Sequence, residues 1–110
     1  YQNLLVPNMS TAFDAIANSA KVFGDSTRLA IIKLLLKSEV TTKTLAKLLN
    51  LSPASVSQHL KVLRDAGILS FYRNKNNVIY TVNRSGVVET MDAMIKFLEL
   101  NEDFVKKTGP

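Results

Sequence analysis

Cysteine is absent from the 110 residues, which removes disulfides, thiolate metal sites and thiol redox switching together. Histidine occurs once, at His59, and a lone histidine is poor support for a metal site. The four glycines are scattered, so the chain has no glycine-rich loop to cradle a nucleotide phosphate. No Ser-His-Asp grouping or carboxylate pair stands out, and neither enzymatic activity nor a bound cofactor is expected. The longest apolar run, Leu29 to Leu36, is broken by Lys33 and falls far short of a bilayer span. No signal peptide is visible, and the expected location is cytoplasmic, with no membrane partner.

What remains is a globular composition, 46% hydrophobic and 21% charged, of a length that suits one domain with one core. The expected division is an arm over residues 1–9 and a domain over 10–107. The formal charge is +5, and it is unevenly spread. Between Thr41 and Arg84 seven basic residues face Asp65 alone, whereas five acidic residues face Lys96 between Ser85 and Val105. The basic middle would attract a polyanion by charge and counterion release, or form a solvated lysine face. The acidic end would turn away from such a ligand.

Hydrophobic spacing divides the chain into seven elements in the order ααααββα. Phe13, Ile16, Ala17, Ala20 and Phe23 mark one face of a first helix, from about Ser10, which Gly24 can end. Asp25 or Ser26 can cap a second helix to Lys37, apolar on most sides and expected to be the central buried element. Thr41 is the expected cap of a short third helix carrying Leu45, Leu48 and Leu49. Asn50 stands where a tight turn needs a left-handed residue, with Leu51 plugging the core beneath it. Ser52-Pro53 is a cap followed by proline at the first helical position, opening a helix that buries Val56, Leu60 and Leu63. That helix stops at Ala66-Gly67. Ile68–Tyr72 and Val78–Val82 flank a polar turn and read as a β-hairpin. A last helix is expected from Ser85 to about Lys106.

The helix after Pro53 has a sharply divided surface. Its outward positions, Ala54, Ser55, Ser57, Gln58 and Lys61, are small or polar and carry no acid. Small side chains let a backbone approach the major groove, hydroxyls and amides meet base edges, and lysine meets phosphate. Ser52 and Pro53 place the helix N-terminus, with its free N–H groups, where a phosphate can sit. Gln58 can pair with adenine. Thr42 and Lys43 open the preceding helix, and Arg73 and Lys75 occupy the hairpin tip, within reach of backbone or a minor groove. His59, at the edge of the buried face, is expected to pack and hydrogen-bond to a neighbouring element.

Phe23-Gly24-Asp25-Ser26-Thr27-Arg28-Leu29, Leu45 to Ser52, and above all Ser55-Val56-Ser57-Gln58-His59-Leu60-Lys61-Val62-Leu63-Arg64-Asp65-Ala66-Gly67 resemble the arsenic-repressor (ArsR/SmtB) family. The resemblance implies a winged helix-turn-helix, mainly α with a small β-hairpin. It further implies a homodimer built on the first and last helices, repressing transcription from a palindromic site in double-stranded DNA. An inducer usually weakens DNA binding in such proteins. Their metal sensors use cysteines near the third helix, or Asp and His pairs in the last. Here Glu39 to Thr44 supplies no thiol, and Glu89, Asp92 and Glu99 come without histidine. No metal ligand is assigned, and a transition-metal inducer is not expected.

The apolar stripes of the terminal helices exceed what one such core can cover. Phe13, Ile16, Met91, Met94, Ile95 and Leu98, with Val105, are therefore the expected dimer contacts. Met91, Met94 and Phe97 can also line a small pocket there, for a small-molecule inducer not identified by the sequence. Two further readings share the pattern, an architectural DNA binder without sequence preference and a winged-helix module for protein contact. The regulator of the multiple-antibiotic-resistance type has the same fold on a longer chain.

Overall fold

The computed structural model describes the backbone of residues 7–98 and the side chains of 12–98. The elements are α1 (Pro7–Phe23), α2 (Ser26–Lys37), β1 (Val40–Thr41), α3 (Thr42–Leu49), α4 (Pro53–Asp65), β2 (Leu69–Asn74), β3 (Asn77–Val82) and α5 (Arg84–Leu98). The described part of helix α1 begins at Pro7, ahead of the Ser10 expected from periodicity. The stretch 99–106 of the predicted last helix, with Val105, and arm residues 1–6 lie outside the described residues.

The core is built where α2, α3, α4 and the start of the hairpin converge. Ile31, Ile32 and Leu35 of α2 meet Leu45 and Ala46 of α3, and Val56, Leu60 and Leu63 of α4, over Ile68 and Leu69. Helix α2 is central as expected, but not buried all round, since Leu29 keeps 46% of its surface exposed. Asp25, rather than Ser26, caps it by accepting the Arg28 backbone N–H at 3.0 Å.

The sheet has three antiparallel strands in the order β1-β3-β2, one more than the hairpin read from the sequence. Val40 and Thr41 pair with Tyr80 and Ile79, anchoring the hairpin beside the start of α3. Two residues are too few for an alternating pattern to announce a strand. The hairpin itself is longer than its apolar runs, pairing from Leu69↔Val82 out to Asn74↔Asn77. That leaves Lys75 and Asn76 as a two-residue turn, and Lys75 takes φ 59°, the positive φ that tight hairpins require. Among the described residues no helix is long and apolar enough to cross a membrane.

The junction between hairpin and α5 is tied to the end of α4. The Asn83 side-chain Nδ2 donates to Gly67 O at 3.0 Å, and its Oδ1 accepts from Ser85 Oγ and the Gly86 N–H. Helix α5 approaches so closely here that a Cβ on Gly86 would overlap the Gly67 carbonyl oxygen.

Candidate nucleic-acid interface

Local chemistry sets the angle between α3 and α4. Thr41 Oγ1 caps α3 by accepting the Thr44 N–H, and Asn50 ends it in the left-handed region at φ 55°, ψ 47°. The Leu51 N–H then donates to Ala46 O at 3.0 Å, and Ser52 Oγ caps α4 by accepting the Ser55 N–H at 3.1 Å. Leu45 and Ala46 on one side, Val56 and Leu60 on the other, are buried at the crossing. Leu51 is half-buried against them, as a plug beneath the turn should be.

The opposite face of α4 is open. Ser52, Pro53, Ala54, Ser57, Gln58 and Lys61 are all exposed, and Ser55 is half-buried. Ala54, Ser57, Gln58 and Lys61 follow one another at helical spacing, so they form a single stripe. The one acid of α4, Asp65, lies at its far end and is paired to Arg64 at 3.3 Å. The stripe is therefore free of uncompensated negative charge. Ser52 is spoken for as a cap, which leaves its hydroxyl hydrogen but not its fully free oxygen for a ligand. Lys43 is exposed and Thr42 half-buried at the start of α3, while Arg73 and Lys75 are exposed at the wing.

Contacts with no sequence signature hold this surface in place. Tyr72 Oη donates to Glu39 Oε2 at 2.8 Å, tying β2 to the residue before β1. That hydrogen bond, with the carboxylate beside it, raises the Tyr72 hydroxyl pKa above its ordinary value. The Arg64 guanidinium lies over the Phe71 ring at 5.7 Å, and Phe71 meets Tyr80 across the hairpin at 6.0 Å. Behind α4, Arg28 donates to the Lys21 and Val22 carbonyls at 2.8 Å each and to His59 Nδ1 at 3.3 Å. His59 thus bonds to a neighbouring element, as its position on the helix edge implies.

The terminal helices pack on one another within the chain, with Phe13 edge-on to Phe97 at 5.3 Å. Phe13, Ile16 and Met94 are half-buried. Met91, Ile95 and Leu98 remain 37%, 43% and 55% exposed, and Val88 joins them at 65%. Val88, Met91, Ile95 and Leu98 repeat at steps of three and four, the spacing of a seam between helices. A cavity of about 350 Å3 lies between α2, β3 and α5, lined by none of Met91, Met94 and Phe97.

Two short helices joined by a left-handed asparagine turn, with a three-stranded sheet whose hairpin projects beside them, make a winged helix-turn-helix. Residues 25–70 match the family model described as "Bacterial regulatory protein, arsR family". The chain is 28% identical over 86 residues to the transcriptional repressor SdpR of Bacillus subtilis, covering 78% of this chain and 96% of that protein. It is 33% identical over 78 residues to the transcriptional activator HlyU of Vibrio cholerae, covering 71% of this chain and 68% of that one. The crystal structure of NolR from Sinorhizobium fredii superposes with a TM-score of 0.70 at 26% identity, over 84% of this chain and 93% of that chain. The chain belongs to the arsR family of bacterial regulatory proteins and is a DNA-binding transcriptional regulator.

Proposed function

We propose that the protein is a cytoplasmic homodimeric repressor that reads a palindromic operator with α4 and grips the flanking backbone with the wing. The observation that carries this reading is the acid-free exposed stripe of Ala54, Ser57, Gln58 and Lys61 on a helix capped by Ser52. Gln58 reads a base edge, Ser55 and Ser57 serve bases or phosphates, and Lys61, Lys43, Arg73 and Lys75 neutralise phosphates. Thr42, Ser52 and Pro53 present helix N-termini to the backbone.

The exposed seam of α5, together with Phe13 and Ile16 of α1, supports the dimer. A two-fold axis through it sets two recognition helices roughly 34 Å apart, one turn of DNA. SdpR, whose length this chain nearly spans, is a transcriptional repressor, which supports repression here, and a small-molecule inducer would relieve it.

Selection of genomic fragments by the purified protein at near-physiological salt, read by sequencing, tests the proposal. Enrichment of one palindromic site, with transcription from it rising when the protein is removed, is expected. Recovery of fragments without a shared sequence would replace the specific repressor by an architectural binder.

A further inference from the structure

Among the described residues the ion pairs are Asp25–Arg28, Arg64–Asp65 and Asp92–Lys96, and the Arg84 guanidinium stands outside them. Its helix neighbours three and four residues on are Val87 and Val88, so α5 places no carboxylate against it. Arg84 lies instead at the cavity of about 350 Å3, whose other walls are Ile32 and Leu36 of α2, Val82 of β3, and Val87 and Val88 of α5. Five aliphatic residues and one arginine thus line a single open cavity.

The proposed DNA surface does not use this cation. Strand β3 runs six residues from Asn77 at the turn to Val82, and Arg84 follows it. At roughly 3.3 Å per residue, the wing tip is on the order of 20 Å away. A pocket of this volume, apolar but for one charged group, suits a small ligand with an apolar body and one polar head. The sign of Arg84 selects an anion, and the planar fork of a guanidinium matches a carboxylate through two parallel N–H···O bonds.

We propose that this cavity is a binding site for a small apolar carboxylate. The ligand's hydrocarbon body lies against Ile32, Leu36, Val82 and Val87, and its carboxylate pairs with Arg84. The walls come from the core helix, a wing strand and the helix carrying the exposed seam, and Val88 belongs to both cavity and seam. An occupant therefore touches both the wing strand and α5. The site is defined without reference to DNA, so its test reads ligand binding alone.

Methyl-resolved NMR of the intact chain, titrated with octanoate and separately with octanol, provides that test. Saturable shifts of the Ile32, Leu36, Val82 and Val87 methyls are expected, with octanoate bound about tenfold more tightly than octanol. Arg84→Gln, a change at an exposed position, should erase that preference while octanol still binds. Equal affinity for the two probes, a preference that survives Arg84→Gln, or shifts confined to Met91, Ile95 and Leu98 would overturn the proposal. So would the absence of any saturable shift.

Discussion

Arg28 on α2 and His59 on α4 are hydrogen-bonded at 3.3 Å although 31 residues separate them. A guanidinium only donates, so His59 Nδ1 is the acceptor. The same guanidinium holds the last carbonyls of α1 through Lys21 and Val22. One side chain, 12% exposed, therefore links α1, the core helix α2 and α4.

Replacing Arg28 with Met keeps the length of the stem and removes every side-chain donor, while the backbone N–H that Asp25 accepts stays in place. The hydrogen bonds lost involve a charged group, so destabilisation by about 1.5–3 kcal/mol is expected in urea unfolding. An unchanged midpoint would show that the link contributes nothing to the fold.

Asp25 gives the same region a pH dependence. Its carboxyl is held below the ordinary value of 3.8, first by accepting the Arg28 N–H and then by the Arg28 charge. A carboxyl with a depressed folded pKa stabilises the protein above its unfolded pKa, and that contribution is lost as pH falls through the folded value. Asp25→Asn should therefore be less stable than the parent at neutral pH, with the difference closing in acid below about pH 4. A difference that stays constant across that range would assign the effect to the cap alone.

Ser52 and Ser57 separate structure from recognition on one helix. Ser52→Ala removes a cap and should cost about 1 kcal/mol of stability. Ser57→Ala, on the exposed stripe, should change stability by less than about 0.5 kcal/mol and still weaken operator binding. Thermal unfolding and operator titration of both variants check this, and equal stability of the two would remove the cap from the account.

Lys75 requires care because its φ is positive. Alanine there would strain the turn as well as remove the charge, whereas asparagine tolerates that conformation. Lys75→Asn should weaken binding to all duplexes alike and make the salt dependence shallower by about one unit. An unaltered slope would take the wing tip off the phosphates.

The part of the site that sequence exposes is the part governed by neighbours in the chain. Asn50, Ser52 and Pro53 each signal their conformation through a cap or turn within a few residues, and α3 and α4 begin and end where those signals stand. Contacts that orient the helices are long-range, and nothing local marks them. Tyr72 reaches Glu39 across 33 residues, and Asn83 reaches back 16 residues to Gly67. Strand β1 is invisible for a related reason, since pairing with β3 rather than its own short pattern makes it a strand. Exposure is also a property of assembly, so Val88 gains meaning only beside Met91, Ile95 and Leu98 on the formed helix.

The central claim, that the open stripe of α4 reads base sequence, is tested most directly by equilibrium binding at fixed salt. The intact protein and its Gln58→Ala variant are each titrated with the selected palindrome, with single-base variants of it and with a scrambled duplex. The parent should prefer the palindrome by at least about a thousandfold, and Gln58→Ala should lose about 1–3 kcal/mol of discrimination at one position of each half-site. Equal affinity of the parent for palindrome and scramble, or a variant whose preference is unchanged at every position, would contradict the account.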